Sequence, residues 1–310
     1  MAAPTRGIDI PRKTLTLKTR FLVCGVLFGL FFAAFCLPTP LSAQTGMVAK
    51  QVSKPAPQVS SRGGWRVGET ASFWVCCYSE ELPAAEIAEH CEALHRQLCE
   101  KWFAQRRPAD WSPKCMVVLH PSQESYLAAV GQDAARTAGS SLVERDANII
   151  AKRRIDLRGD RADYLTAALP HELTHVILAD HFSEGSLPRW ADEGMAVLAD
   201  TQAKRDHHAR DLQGARARGT TFRVAELLPL KDYPSAERWA AFYGQSLSVV
   251  GYLVSRDTPH EFVKFLDAAK LSGYDHALLD CYGIRDMDEL ERLWGASLAD
   301  NSPTTVAKSR

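Results

Sequence analysis

The residues with the clearest chemical signature lie in the segment PHELTHVILADH, residues 170–181. It contains the pattern H-E-x-x-H, formed by His171, Glu172 and His175. Positions i and i+4 of a helix lie on one face, so both imidazoles can bind one ion, and zinc is the usual ion at this pattern. The carboxylate of Glu172 then lies at the open side of the metal, where it can deprotonate a bound water. The pattern therefore predicts a zinc hydrolase site with Glu172 as its base.

A catalytic zinc ion generally takes three protein ligands, so a third ligand must come from further along the chain. One candidate is Glu193 in the segment LPRWADEGMAVLAD, whose apolar spacing predicts a second buried helix. The other is His181, at the spacing of the third histidine in H-E-x-x-H-x-x-G-x-x-H enzymes. Those enzymes need glycine where this chain has Leu178, because the helix must break there. We therefore favour Glu193.

The flanks of the motif are apolar, which predicts a helix packed in a core rather than a surface helix that carries two histidines by chance. Leu169 precedes the motif, and Val176, Ile177 and Leu178 follow it. Buried polar side chains are costly unless they have partners, so two histidines and a glutamate at such a place need a function. Pro170 predicts either a kink or a helix that restarts with the proline in its first turn.

The elements that must position these residues follow from hydrophobic periodicity. Strands are predicted at 72–78, 115–119 and 148–157. Helices are predicted at 83–106, in a short segment that ends at Leu127, and through most of the chain after residue 161. The charged segment 204–220 is interpreted as a solvated helix end plus a loop, with His207 and His208 at the surface. The expected fold class is α+β: a small mixed sheet that carries the metal-binding helix, followed by a helical carboxy-terminal part.

Composition places this chain among globular proteins and argues against a nucleic-acid partner. Of the 310 residues 46% are hydrophobic, which is enough for a sizeable core. Lysine and arginine together number 37, as do aspartate and glutamate, so no excess of positive charge is available to attract a phosphate backbone.

The amino-terminal region predicts export from the cytoplasm. Basic residues lead into the uncharged run FLVCGVLFGLFFAAFCL, residues 21–37. This run fits either a signal peptide cleaved after Ala43 or a retained membrane anchor, so the protein is expected in the periplasm or outside the cell. Residues 44–64 have the composition of a disordered linker, 65–300 that of the enzyme domain, and 301–310 that of a disordered tail.

Six cysteines follow the export segment, and an even number is compatible with disulfides in an oxidising compartment. The alternative is that several are buried free thiols that fill core space. They are Cys76, Cys77, Cys91, Cys99, Cys115 and Cys281.

Four segments together resemble the peptidase-MA-like gluzincins, exported bacterial relatives of thermolysin and the zinc aminopeptidases. These segments are HELTHV, LPRWADEGMA, FYGQSLSVVGYLV and GYDHALLDCYGIRDMDELERLW, and the resemblance spans roughly residues 72–296. It implies a zincin-like metallopeptidase fold, a peptide or protein substrate, zinc on His171, His175 and Glu193, and Glu172 as the base.

The same resemblance bears on three further positions. Tyr243 matches a phenol that related gluzincins hold near the metal, where it can stabilise an oxyanion; a core aromatic is the alternative. Thermolysin-type enzymes carry an acid four residues after the third ligand, whereas this chain has Val197, so Asp192 and Asp200 are the remaining candidates to orient a histidine. The strand at 148–157 matches the edge strand that pairs with extended substrate.

A second class of function is compatible with the same residues. A non-catalytic or narrowly specific envelope protein could use the gluzincin scaffold to bind peptide or cell-wall partners. The presence of both histidines, the base and the downstream glutamate favours the enzyme.

Overall fold

The centre of the fold is a mixed β-sheet whose inner strands are rich in apolar side chains. A computed structural model describes residues 58–62, 64–78, 82–147, 149–182 and 187–300. The strands of this part are β1 (Gln58–Arg62), β2 (Trp65–Glu69), β3 (Phe73–Cys77), β4 (Cys115–His120), β5 (Gly139–Asp146) and β6 (Ile149–Arg158). They form one sheet in the order β1-β2-β3-β4-β6-β5, with β3, β4 and β6 as parallel neighbours and the other pairs antiparallel.

Helices make up most of the remainder. Those in the described part are α1 (Ala84–Phe103), α2 (Gln123–Val130), α3 (Leu169–His181), α4 (Arg189–Val197), α5 (Gln202–Ala217), α6 (Val224–Leu227), α7 (Trp239–Arg256), α8 (Pro259–Ser272), α9 (Tyr274–Tyr282) and α10 (Met287–Asp300). A mixed sheet followed by a helical carboxy-terminal part confirms the predicted α+β class.

The helix α3, which carries the H-E-x-x-H pattern, lies between two hydrophobic cores. Its residues Leu173, Val176 and Ile177 pack with α1 and the inner face of the sheet. Leu178 belongs to the second core, which the carboxy-terminal helices build. Burial on two sides holds α3 in place and leaves a third side for the histidines.

The start of α3 shows how the chain accommodates Pro170. A π-helical turn, Tyr164–Ala168, leads directly into α3, and the proline stands in the first turn of the helix. Because the first-turn amides have no partner within the helix, a proline at this place removes no hydrogen bond. A new α-helix therefore begins at Leu169 with Pro170 in its first turn, as one of the two sequence-based predictions has it.

Two segments expected to lack regular structure are ordered by tertiary contacts. The end of the predicted linker 44–64 is β1, which pairs with β2 through backbone hydrogen bonds and needs no apolar side chains. The segment 204–220, interpreted as a helix end plus loop, is mostly the helix α5, because Leu212 and Ala215 are buried against the second core.

The sheet edge next to α3 is also different from the prediction. The strand predicted at 148–157 is β6, which lies inside the sheet between β4 and β5, so its assignment as the edge strand is wrong. The edge strand is β5, which the sequence did not predict because GSSLVERD has neither a long apolar run nor a regular alternation.

None of the helices among the described residues is both long enough and apolar enough to span a membrane. The predicted export segment 1–43, with its apolar run 21–37, and the predicted tail 301–310 lie outside the described residues. The six downstream cysteines are free thiols in the structure, and four of them are buried.

Candidate metal centre

The two motif histidines lie one turn apart on the same side of α3. Their side chains are mostly buried, and Nε2 of His171 lies 3.3 Å from Nε2 of His175. Ligand atoms about 2.1 Å from a tetrahedral zinc ion lie roughly 3.4 Å from one another, so this separation suits two ligands of one ion.

Glu193 reaches the same point from α4. Its side chain is 3% exposed, and its Oε2 lies 3.8 Å from Nε2 of each histidine. Helix α4 can hold the carboxylate here because the next residue, Gly194, lets α4 approach α7 closely. A β-carbon on Gly194 would lie 2.6 Å from the carbonyl oxygen of Ser246. Any larger residue would push α4, and with it Glu193, away from its place.

A carboxylate holds the Nδ1 side of each imidazole and so fixes the orientation of the ring. Nδ1 of His175 lies 2.7 Å from Oδ1 of Asp192, and Nδ1 of His171 lies 3.3 Å from Oδ2 of Asp200. Asp200 in turn is paired with Lys204 at 2.9 Å. In the neutral imidazole each Nδ1–H donates to its aspartate, so each Nε2 directs a lone pair at the point that Oε2 of Glu193 also faces. Both aspartates thus act as the orienting groups that the sequence left as candidates.

With each Nδ1–H directed at its aspartate, the cluster can direct two imidazole lone pairs and one carboxylate oxygen at its centre, which is the arrangement a metal cation requires. The ligand atoms of His171, His175 and Glu193 all lie within 4.8 Å of one another. Oε2 of Glu193 is buried and has no hydrogen-bond partner in the described structure. A buried carboxylate oxygen without a partner is costly, and a metal ion bound by two imidazole nitrogens and this oxygen removes that cost. The residues present therefore fit a divalent metal ion.

The electrostatic environment of His175 supports the same conclusion. Burial on its own lowers the pKa of this imidazole, but the carboxylates of Asp192 and Glu193, and more weakly that of Glu172, outweigh it and raise the pKa to about 10. The acidic groups around the cluster therefore favour a positive charge at this point.

Glu172, the predicted base, lies on the cavity side of α3, next to the edge strand. The cavity measures about 710 Å³ and is lined by residues of β5, α3 and α4 and of the segment between α6 and α7. Glu172 and the three candidate ligands all line it. A molecule bound in this cavity would therefore contact both the three candidate metal ligands and Glu172.

The place of Glu172 depends on a glycine of the edge strand. A β-carbon on Gly139 would lie 2.8 Å from Cγ and 3.1 Å from Oε1 of Glu172. We expect Gly139→Ala to displace this carboxylate and to lower kcat for the hydrolysis that the H-E-x-x-H pattern predicts about 10- to 100-fold, because a displacement of about 1 Å has effects of this size. Zinc content, measured by atomic absorption, should stay at the wild-type level.

The matched control for Gly139→Ala is Gly251→Ala in α7. A β-carbon there meets no heavy atom within 4 Å. This variant should keep wild-type activity and gain up to about 1 kcal/mol in free energy of unfolding, because alanine is the better helix former. Wild-type kcat in Gly139→Ala would contradict the argument that this glycine positions Glu172.

Two tyrosines also line the cavity. Tyr243, predicted either as an oxyanion donor or as a core aromatic, lines the cavity and stacks on His208 with ring centroids 5.6 Å apart. Burial, and then the carboxylate of Glu193, raise the pKa of Tyr243 well above its usual range, so its phenol keeps its proton. Tyr233, which the sequence analysis missed, donates a hydrogen bond to Oε1 of Glu193. A tyrosine in the irregular segment KDYPS carries no periodic signal that would have identified it.

The other three histidines that the sequence analysis considered do not belong to the candidate ligand group. α3 continues through Leu178 to His181, whose ring stacks on Phe103 and whose Nε2 lies 3.3 Å from Asp267. The structure thus does not bring the alternative third ligand to the cluster. His207 is exposed as predicted, but the surface assignment of His208 is wrong. Gly244 explains this, because it lets α7 approach the backbone of α5 at His208.

The region of the chain that contains this cluster matches the model of a known protein family. The family model described as the peptidase MA superfamily matches residues 132–300, which is more than half of the chain and includes β5, β6 and the helices α3 to α10. No curated protein matches the chain.

Proposed function

Since the chain belongs to the peptidase MA superfamily, we propose that it is a zinc metallopeptidase of the gluzincin type. Superfamily membership supports a peptidase-like, metal-dependent hydrolase. The finer assignment depends on one observation: Nε2 of His171, Nε2 of His175 and the partnerless Oε2 of Glu193 converge on one point. Two imidazoles and a carboxylate are the protein ligands of zinc in thermolysin-like sites.

In the proposed reaction, water adds to the carbonyl carbon of a peptide bond. Zinc held by the three ligands supplies Lewis-acid chemistry, acidifying water and polarising the carbonyl. Glu172 takes a proton from the attacking water and returns it to the nitrogen of the leaving amine. In this proposal Tyr243, which keeps its proton and lines the same cavity, donates a hydrogen bond to the oxygen that becomes negative.

The edge strand β5 gives the proposed substrate a backbone to pair with. One of its sides pairs with β6, whereas residues 139–143 and 145 line the cavity. An extended peptide that adds to this edge passes in front of Glu172, because Gly139 contacts that side chain. The role assigned by resemblance to strand 148–157 therefore moves to β5 in this proposal.

We also propose that the enzyme works outside the cytoplasm, as the apolar run at 21–37 and the basic residues before it suggest. Cleavage or retention of that segment is decided by the mass of the mature protein isolated from its native cells.

The test of this function is metal analysis combined with a proteolysis assay. The purified protein should contain about one equivalent of zinc per chain and cleave a fluorescent casein. Dialysis against a chelator should abolish cleavage, because the three ligands converge on a single ion, and added zinc should restore it. Magnesium is the control ion, because a nitrogen-containing ligand set does not suit it. A zinc-loaded protein that cleaves neither casein nor a peptide library would contradict the enzyme and support the peptide-binding alternative.

A further inference from the structure

The charged side chains of the cavity fall into two groups. The acidic lining residues are Glu172, Asp192 and Glu193, and the basic lining residues are Arg145, Arg189 and Lys231. All three acids belong to the metal centre: one is the proposed base, one a ligand, and one orients a ligand. A bound divalent ion offsets two of these three negative charges, so the basic residues leave the described lining with a net positive charge.

Arg145 is the basic residue that the fold holds most firmly. It lies on β5, and its Nη2 donates a hydrogen bond to the carbonyl oxygen of Ala179 in the last turn of α3. Its Nη1 is buried without a hydrogen-bond partner in the described structure. A guanidinium with an unsatisfied buried donor is a costly arrangement in the absence of an acceptor. Arg145 also lines the cavity, so a carboxylate bound there can approach the guanidinium and supply an acceptor after a small shift of the side chain.

The other two basic residues come from the start of α4 and from the segment between α6 and α7. Arg189 is shared, because it lies 3.5 Å from Asp192 and 5.1 Å from the ring of Tyr233. Lys231 is exposed, stands two residues before Tyr233 in the chain, and makes no ion pair with a described residue. Three separate segments of the chain thus bring positive charge to the cavity that contains the candidate metal centre.

Resting on the proposed peptidase function, we infer that this cavity selects peptides with a carboxylate close to the cleaved bond, held by Arg145 and Lys231. The carboxylate can belong to an aspartate or glutamate side chain or to the end of the peptide, because a guanidinium binds either. Ala179 is four residues after His175, which is about 6 Å along the helix. An extended peptide advances about 3.3 Å per residue, so the carboxylate belongs about two residues from the cleaved bond.

The test uses a mixed library of decapeptides, with cleaved bonds identified by mass spectrometry. Each peptide is supplied with a free and with an amidated carboxyl terminus. We expect cleavage to be enriched at least tenfold where a carboxylate lies about two residues from the bond. If amidated peptides are cleaved preferentially near internal Asp or Glu, then the cavity binds a side-chain carboxylate. If cleavage is restricted to peptides with a free carboxyl terminus, then the cavity binds the terminal carboxylate. Equal cleavage of acidic and neutral sequences would overturn the inference and leave the peptidase function standing.

Variants assign the preference to these residues. Arg145→Gln and Lys231→Gln should each lower the ratio of kcat/KM for acidic over neutral peptides about 10- to 100-fold, the usual range for a hydrogen bond to a charged group. Arg145→Lys, which keeps the charge, should recover part of the ratio. Arg223→Gln, which removes an exposed arginine paired with Asp288, should keep the wild-type ratio. An unchanged ratio in both Gln variants would overturn the assignment, and Lys231→Gln decides alone if Arg145→Gln does not fold.

A binding measurement separates this inference from the proposed function. Fluorescence anisotropy measures the affinity for two labelled peptides that differ only in having Glu or Gln at one position. If no peptide is cleaved, the zinc-loaded wild-type protein is used. If peptides are cleaved, Glu172→Gln is used so that they stay intact. Tighter binding of the acidic peptide without cleavage supports the carboxylate site while the peptidase function fails. Equal binding of both peptides overturns the carboxylate site, whatever the outcome of the proteolysis assay.

Discussion

Glu172→Gln is expected to lower peptide hydrolysis by about 10²- to 10⁴-fold while zinc content stays near one equivalent. The amide has the size of the carboxylate but cannot accept the proton of the attacking water. The side chain lies beside Gly139 at the cavity wall and makes no contribution to the ligand set, so the metal should remain. The measurement is kcat/KM for a peptide identified from the library, with zinc determined on the same preparation.

The matched control is Glu124→Gln, on the exposed side of α2. This glutamate lies outside the cavity lining, so the variant should keep wild-type kcat/KM. If Glu172→Gln keeps more than a tenth of the wild-type activity with zinc bound, then Glu172 is not the base and the proposed reaction is wrong.

Glu193→Gln is expected to weaken zinc binding by more than about 100-fold. Loss of a residue that only orients a metal ligand lowers metal affinity about 10- to 100-fold, and loss of the ligand itself should have a larger effect. The amide keeps the volume of the side chain in the tight space between α3 and α7. It removes the negative charge and the buried Oε2 that faces both histidines. Isothermal titration with a competing chelator measures the affinity.

His181→Ala separates the two candidate third ligands. His181 stacks on Phe103, away from the cluster, so this variant should bind zinc like the wild type. Thermal unfolding gives a second readout, because zinc stabilises only a folded protein that binds it. Zinc should raise the Tm of His181→Ala and have little effect on that of Glu193→Gln. The opposite pattern would assign the third ligand to His181.

The residues of the motif illustrate what local sequence can predict. His171 and His175 are separated by one turn of the same helix, so their proximity follows from helix geometry once the apolar flanks have identified the helix. The α+β class and the superfamily resemblance are confirmed for similar reasons, since periodic runs such as FWVCC and VVL report strands without knowledge of their neighbours.

Errors occurred where partners outside the segment itself decide the outcome. β5 is a strand because β6 supplies its hydrogen bonds, and its side chains give almost no signal of this. α5 is a helix although its sequence is highly charged, because Leu212 and Ala215 pack against residues far along the chain. The surface assignment of His208 failed for the same cause, since Gly244 of α7 lets the two helices approach.

The sequence by itself determined the chemistry that this protein can carry: a histidine pair on one helix turn, a glutamate beside it, and a second glutamate on a buried segment. Only the tertiary structure decided that Glu193 rather than His181 faces the pair, that Asp192 and Asp200 hold the imidazoles, and that Tyr233 and Arg145 border the cavity. Spacing within a helix is set by backbone geometry. The meeting of side chains from β5, α3, α4 and α7 depends instead on how closely these elements pack, which Gly139, Gly194 and Gly244 permit.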